Sequence, residues 1–440
     1  MNLSGWGRYP KADCTVIAPR SDAEVARAIA TTACIARGNG RAYGDSALNE
    51  NNTISTQHLN RMISFNQDTG TLEAEAGVLL GDVINAYLPR GWFPAVTPGT
   101  RFVTLGGMAA ADVHGKNHHV DGGFGNFIDW VDVMGGDGSV TRASPTRNQD
   151  LFHWTIGGMG LTGVILRVGL RLKQVETGWI QQRTIAAPNL EAAMEGFETH
   201  HDAPYSVAWI DCLSTGASLG RSLIMLGEHA PLHGLPNKYR QIPFGPPPAK
   251  KKTVPFNAPR LALNRYTVKA FNAAYYHMGT RKTGTDYVSW DKYFYPLDSI
   301  LGWNKIYGRR GFIQFQCVLP DASARAGLEA LLARVSEAGQ GSFLAVLKKL
   351  GTDTHRFSFP RAGYTLALDF PVSDKVLDLM TELDAVTLDH GGRFYLAKDA
   401  RMSDATLRAS DERAEEFAKM RAETGAASAF ASLQSERLKL

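Results

Sequence analysis

Three glycine-rich loops precede Val164, and the second of them runs straight into a cluster of ionisable side chains. They are Gly38-Asn-Gly-Arg-Ala-Tyr-Gly44, the run from Pro98 to His119 that contains Leu105-Gly-Gly-Met108 and His114-Gly-Lys-Asn-His-His119, and Gly157-Gly-Met-Gly-Leu-Thr-Gly163. Bare backbone can approach an anionic ligand closely, and imidazole and ammonium groups perform proton and charge chemistry. Several such loops in one half of a chain imply a single extended ligand threaded past several strand ends. A nicotinamide-binding Rossmann unit is excluded, because Tyr43 stands at the third glycine of G-x-G-x-x-G and the polar, interrupted residues 46–63 open no helix.

The chain has 440 residues, more than one hydrophobic core usually serves, so two domains are expected. No uncharged apolar stretch reaches the length of a membrane span. The start, Met-Asn-Leu-Ser-Gly-Trp-Gly-Arg8, lacks the basic and apolar regions of an export signal, which makes the expected location cytoplasmic or peripheral at a membrane. Cys14, Cys34, Cys212 and Cys317 are too scattered for a disulfide framework, a zinc ribbon or a redox dithiol. A net charge of +4 suits an acidic ligand or an anionic surface without calling for nucleic acid.

Ser21-Asp-Ala-Glu24 is a capping box opening a helix over 22–33, and Cys34 to Arg37 is a strand entering the first glycine loop. A strand over 71–76, a helix over 82–87 and a hairpin turning at Asp137-Gly138 follow, then an apolar strand over 164–172. Near residue 177 the glycine loops give way to longer amphipathic segments, which marks a domain boundary. Residues 236–260 are rich in proline and carry Lys250, Lys251 and Lys252. They read either as a solvated loop or as a flap that covers a phosphorylated substrate or touches an anionic membrane. Residues 404–421 read as one helix.

Two tempting motifs fail on context. His114, His118 and His119 lack a completing carboxylate or thiol beyond Asp112 and Asp121, so His114 and Lys116 read as cofactor- or substrate-facing groups. Gly216-Ala-Ser-Leu-Gly220 matches a hydrolase nucleophile elbow, yet the flanking segments read as two strands of a hairpin. Period two places Gln314 and Gln316 on one strand face, either toward a sugar or flavin or toward solvent. Lys348 and Lys398 each follow apolar residues; such a lysine snorkels to the surface or, if desolvated, holds a phosphate or stabilises an alkoxide.

Taken together, Ala36 to Asp45, Pro98 to His119, Gly160-Leu-Thr-Gly163 and Tyr395-Leu-Ala-Lys-Asp399 resemble the vanillyl-alcohol-oxidase (PCMH-type) superfamily of FAD-dependent oxidoreductases. The resemblance runs nearly end to end and is nearest to the branch that oxidises polyprenyl-phosphoryl ribose. It implies an α+β, two-domain fold with an inserted substrate domain built on an antiparallel sheet. Residues 1–177 and 393–440 would form the FAD domain and 178–392 the substrate domain.

By the same resemblance, Ala36, Arg37, Gly38, Asn39, Gly40, Arg41, Ala42, Tyr43, Gly44, Asp45 and Ser46, with Gly99, Thr104, Leu105, Gly106 and Gly107, would bind the FAD pyrophosphate. Ala111, Asp112, Val113, His114, Ile165 and Tyr395 would line the rest of the cofactor. Relatives that attach FAD covalently use a histidine where this chain has Arg41, which implies noncovalent FAD. Lys398, His114 and Lys116 are the implied catalytic residues, and Gln316, Lys348, Trp209, Thr365 and Ala367 the substrate contacts. Thr365, Ala367 and Phe294 depart from the branch's asparagine, cysteine and phenol, so the resemblance leaves the sugar and lipid open.

The implied activity is oxidation of the 2′-hydroxyl of a polyprenyl-phosphoryl β-D-ribose to a ketone. A short-chain-type reductase would complete epimerisation toward cell-envelope arabinan, with quinone or O2 as electron acceptor. An alditol or aldonolactone oxidase and a flavin-binding protein without turnover are the alternatives.

Overall fold

The computed structural model describes residues 1–246, 251–259, 263–352 and 355–440, so Lys250 lies outside the described residues. The alternating, glycine-punctuated segments of the first part assemble a six-stranded antiparallel sheet. Its main path runs Val140–Ala143, Ile128–Met134, Val164–Gln174, Thr71–Glu75, Met62–Asn66, and Trp92–Pro94 pairs with the far end of Val164–Gln174. The central strand Val164–Gln174 has neighbours on both edges, and its apolar residues are buried while Arg167 and Lys173 are half-buried and Arg171 is exposed. The Asp137-Gly138 turn joins Ile128–Met134 to Val140–Ala143, with Gly138 at a φ of 79° that glycine alone adopts without strain. Beside this sheet, Val16–Ile17, Thr53–Ser55 and Ile35–Arg37 form a parallel three-stranded sheet that aims the Ile35–Arg37 strand at the first glycine loop.

From Trp179 onward all strands but the short Lys252–Thr253 and Ile300–Leu301 pair belong, among the described residues, to a different, eight-stranded antiparallel sheet. It is ordered Gly284–Ser289, Trp179–Ala187, Ser222–His229, Tyr205–Ile210, Ala345–Leu350, Gly363–Pro371, Phe312–Pro320, Arg393–Phe394. Helices Asp321–Ala338 and Asp374–Asp389 cover one face, burying Leu328, Leu331, Leu332 and Val335 from the first and Val376, Leu379 and Leu383 from the second against Ile313, Phe315, Cys317 and Leu319. Side chains alternate along each strand, so Gln314 and Gln316 are left on the opposite face.

The C-terminal tail returns to the first part. Phe430 bridges Cys34, Leu433 N donates to Leu48 O at 2.8 Å, and Arg437 pairs with two buried carboxylates, Asp45 at 2.8 Å and Asp399 at 2.9 Å. The tail thereby pins the first glycine loop to the Tyr395–Asp399 turn.

The sequence expectations need correction at several element ends. Ser21 caps the first helix as expected, but that helix stops at Ile29 because Asn52 Nδ2 takes the Ala28 and Thr32 carbonyls at 2.8 and 3.3 Å. The single helix over 404–421 is two, Asp404–Ser410 and Arg413–Glu423, separated by Asp411 in an extended conformation whose carboxylate accepts from Arg413 N at 3.2 Å. Residues 236–260 are not wholly irregular: Asn237–Arg240 is a helical turn, and Lys252–Thr253 pairs in parallel with Ile300–Leu301. Gly216–Ser218 is one 3-10 turn between the antiparallel strands Tyr205–Ile210 and Ser222–His229, the hairpin that the motif's flanks indicated.

Removing one partner of a buried ion pair strands the other charge, at a cost of about 3 kcal/mol or more. Arg437→Ala should therefore lower the unfolding free energy by about 3 kcal/mol in urea titration. Arg325→Ala, which breaks only exposed pairs with Glu191 and Glu329, should leave it unchanged within error.

Candidate functional site

A cavity of about 650 Å³ opens between the two large sheets. One wall is backbone. A Cβ at Gly38 would lie 2.2 Å from Thr104 Oγ1, so the first and second glycine loops touch only because no side chain stands between them. Asn39 Nδ2 fastens the contact by donating to Phe102 O at 2.8 Å, and Thr104 caps the helix Leu105–Ala110, accepting from Gly107 N at 3.3 Å. The space where a Cβ would stand on Gly99 is clear for 4 Å, which leaves its backbone bare toward the cavity. Asp298 holds this second loop from across the chain, accepting from Thr100 Oγ1 at 2.7 Å and Arg101 N at 2.8 Å.

Arg41 projects into the same wall with its guanidinium 4.1 Å from the Trp6 ring centroid and 5.2 Å from that of Phe102. Its Nε is buried and without a partner among the described residues, and burial lowers its pKa. A buried cation with a free donor is suited to an anionic ligand.

The floor is the uncovered face of the eight-stranded sheet. Register pairs Gln316 with Ala367, Ala367 with Val346, Val346 with Trp209, and Lys348 with Thr365, which places all six on one face. At its polar end His114 lies between two of them, with Nε2 3.0 Å from Gln316 Nε2 and Nδ1 3.0 Å from Lys348 Nζ. Gln316 Nε2 also donates to Thr365 Oγ1 at 3.1 Å, and Thr365 donates to Cys317 O at 2.8 Å. With the amide donating to His114 Nε2, the imidazole proton sits on Nδ1, and Lys348 must face it as a neutral amine.

The electrostatics agree with that assignment. Burial, together with the positive charges of Lys398 and Lys116, pushes Lys348 down to about 7, and burial then the Lys348 charge holds His114 well below the usual imidazole range. Lys116 falls to about 7 through burial; its Nζ donates to Tyr293 O and sits 4.1 Å above the Tyr293 ring. Lys398 lies on the Tyr395–Asp399 turn, 3.7 Å over the Tyr43 ring, and burial lowers its pKa. The snorkelling alternative for Lys348 and Lys398 does not hold, because both amines face this cavity. From Lys348 the floor turns apolar toward Val346, Trp209, Val207 and Met225.

Most residues singled out from the sequence border the cavity. Six do not. Arg37 donates to Ser4 O at 2.7 Å, Asp45 pairs with Arg437, and Asp112 accepts from Gly125 N at 2.8 Å and Ser358 Oγ at 2.6 Å. Gly44 packs on Asp399 O, Leu105 is in the core, and Thr365 stands behind Gln316. All six support the lining rather than form it.

Within the histidine cluster only His114 faces the cavity; His118 Nδ1 accepts from Gly351 N at 3.1 Å and His119 Nε2 lies 3.0 Å from Ala203 O. Asp369, fully buried, was missed: it accepts from Gln314 Nε2 at 2.5 Å and Tyr307 Oη at 3.3 Å, while Gln314 reaches Tyr43 Oη at 3.4 Å. Burial raises its carboxyl pKa, and the nearby Lys398 charge opposes that rise. Period two from Thr365 and Ala367 was the signal that could have found it.

A lysine whose folded pKa is depressed binds its proton less readily than in the unfolded chain, so stability rises with pH between the folded and unfolded values. For Lys116 and Lys348 that window runs from about 7 to about 10.5. Urea unfolding of the ligand-free protein should show this rise, and Lys116→Met should reduce its slope by up to about 1.4 kcal/mol per pH unit.

Comparison with known proteins agrees with this geometry. The FAD binding domain family matches residues 15–144. The decaprenylphosphoryl-β-D-ribose oxidase of Mycolicibacterium smegmatis is 34% identical over 100% of this chain and 97% of its own length. Shorter similarities reach cytokinin dehydrogenase 5 of Arabidopsis thaliana, at 27% over 38% of this chain and 34% of the relative, and D-2-hydroxyglutarate dehydrogenase of Escherichia coli, at 30% over 42% and 19%. A glycine-walled cavity floored by buried amines, in a chain similar along its whole length to one such oxidase, identifies a member of the FAD-dependent oxidoreductase family that contains decaprenylphosphoryl-β-D-ribose oxidase.

Proposed function

We propose that the protein oxidises the 2′-hydroxyl of a polyprenyl-phosphoryl β-D-ribose to the ketone. The observation that carries this reading is the graded floor of the cavity. Buried amines and amides at one end match a phosphorylated sugar, and the apolar shelf of Val346, Trp209, Val207 and Met225 at the other matches an isoprenoid chain. A free alditol would leave that shelf facing polar hydroxyls without partners.

The residues fit FAD. The bare Gly99 backbone and the unpartnered Arg41 Nε suit a pyrophosphate, and Arg41 in place of a histidine supports noncovalent attachment. Bound FAD would supply the acceptor for the hydrogen and electron pair leaving the carbinol carbon. The chain's own task is the hydroxyl proton. Lys398 or Lys348, as a neutral amine, takes it, and the resulting ammonium beside neutral His114 stabilises charge on the oxygen. Gln316, fixed by Thr365, orients the sugar. Lys116, held by Tyr293, contributes positive potential for the phosphate.

Residues 1–177 and 393–440 would form the FAD domain and 178–392 an inserted substrate domain; the change of sheet between Gln174 and Trp179 and the ties of the tail to Cys34, Leu48 and Asp45 support this division, except that Arg393–Phe394 still pairs in the eight-stranded sheet, so the return falls after Phe394. A short-chain-type reductase would return the ketone as the epimeric alcohol, completing the route toward cell-envelope arabinan, with quinone or O2 reoxidising the flavin.

Anaerobic flavin bleaching tests the substrate. A prenyl-phosphoryl ribose should bleach the protein and free alditols should not; the reverse result would select a polyol oxidase, and no bleaching by either would leave only flavin binding. The bleaching rate should rise with pH through about 7 as the amines lose their protons. Of Lys348→Arg and Lys398→Arg, which stay protonated, the one that removes the proton acceptor should flatten that rise and slow bleaching at least about tenfold, and a rise kept in both would remove the two amines from this role. Acid precipitation should release all of the FAD, and flavin left in the pellet would contradict noncovalent attachment.

A further inference from the structure

Positive charge is concentrated in one stretch of this chain. Residues 251–310 hold eleven Lys and Arg and three Asp, with no Glu, so this segment exceeds the net +4 of the whole chain and the remainder is net negative. Exposed apolar side chains gather in the same stretch. Tyr266 is 81% exposed, Phe256 69%, Met278 55% and Phe271 44%, and Ile300 and Leu301 are also exposed. Single exposed apolar residues are ordinary, but several in a stretch with so large an excess of cations mark a contact surface.

The geometry ties this surface to the cavity. Helix Arg265–Thr280 is held inward by Val268, by Asn272 donating to Asp211 Oδ1 at 2.8 Å, and by Tyr275 against Trp209 with centroids 4.8 Å apart. Tyr266, Lys269 and Met278 remain exposed on its outer side. The short ribbon Lys252–Thr253 pairs with Ile300–Leu301, and Val254 N donates to Leu301 O at 3.0 Å. Ile300 and Leu301 both line the cavity and face outward, so they mark its opening, and Tyr275 lines it from the helix side.

We propose that this face docks on an anionic lipid bilayer, with the cavity opening against the membrane so that a lipid-borne substrate enters from the membrane plane. The proposal rests on the reading of the substrate as lipid-linked. Its two components are those that peripheral attachment requires: cations drawn to anionic headgroups, and aromatic and aliphatic side chains that insert between them. Among the described residues no helix is long and apolar enough to cross a membrane. A protein partner would need an acidic surface that also accepts Tyr266, Met278 and Phe256, whereas an anionic headgroup layer offers charge and apolar depth together.

Sedimentation of the holoenzyme with vesicles tests this. Binding should be strong to phosphatidylcholine vesicles containing phosphatidylglycerol, weak to phosphatidylcholine alone, and reduced by salt. Lys269→Glu/Arg281→Glu/Lys282→Glu should weaken partitioning by roughly a hundredfold, at about fivefold per cation at an anionic surface. Tyr266→Ser/Met278→Ser should lose the binding that survives high salt. Both variants should keep their flavin and their melting temperature.

Equal binding to the two vesicle types, or variants that bind like the parent, would overturn the proposal. So would a dimer in sedimentation velocity that Tyr266→Ser/Met278→Ser dissolves, since the face would then be covered by a second copy. Bleaching by a short-chain, water-soluble prenyl-phosphoryl ribose without vesicles separates the two readings. If vesicles bind as described and this substrate fails, the substrate assignment falls and the docking surface stands; if it bleaches the flavin and vesicles do not bind, the reverse holds.

Discussion

Three amines converge on one cavity, and much of the site's organisation follows from that crowding. Burial depresses Lys116, Lys348 and Lys398 alike, and the charges of Lys398 and Lys116 depress Lys348 further. Ammonium groups cannot all remain charged in such a place, so the amines sit near neutrality and His114 stays neutral between Lys348 and Gln316. A site arranged this way accepts a proton readily and gains from any anion that enters. Both properties suit the oxidation of an alcohol carried on a phosphate.

Holding amines in that state requires a scaffold that does not relax around them. Lys348 sits on a central strand of the eight-stranded sheet, whose other face is sealed by two helices with leucine and valine at core spacing. Lys398 sits on a turn with less backbone support, and there the chain adds polar ties. Asp399 is bonded by Gln434 and Arg437, and Asp369 is bonded by Gln314 and Tyr307 beneath Tyr43. The C-terminal tail thus acts on the site without touching it, because Arg437 links the turn carrying Lys398 to Asp45 at the end of the first glycine loop.

Much of this was legible in the sequence wherever one local rule decides. Glycine loops, the Ser21 cap, the Asp137-Gly138 hairpin and the paired faces of Gln314 and Gln316 follow from backbone freedom, capping and period two. What escaped depends on partners distant in sequence. Asn52, which ends the first helix, is 24 residues from the carbonyl at Ala28. His118 and His119 are turned from the cavity by contacts that include Gly351 and Ala203, distant in sequence. Asp369 was within reach of period two but unassigned, because its value lies in Gln314 and Tyr307 on other segments.

The substitutions at Thr365 and Ala367 show how such a site tolerates change. Thr365 does not border the cavity; its hydroxyl accepts from Gln316 and donates to Cys317 O, so what it contributes is the orientation of the Gln316 amide. Another short side chain able to accept from Gln316 would preserve the His114 proton on Nδ1. Ala367 does border the cavity, between Gln316 and Val346, where the floor changes from polar to apolar. A larger side chain there would narrow the passage between the two ends without altering the amines. The two ends of the cavity thus meet on the sheet floor: Gln316, Lys348 and the loop-borne His114 crowd the polar end, and Ala367 marks the step to the apolar strands beyond it.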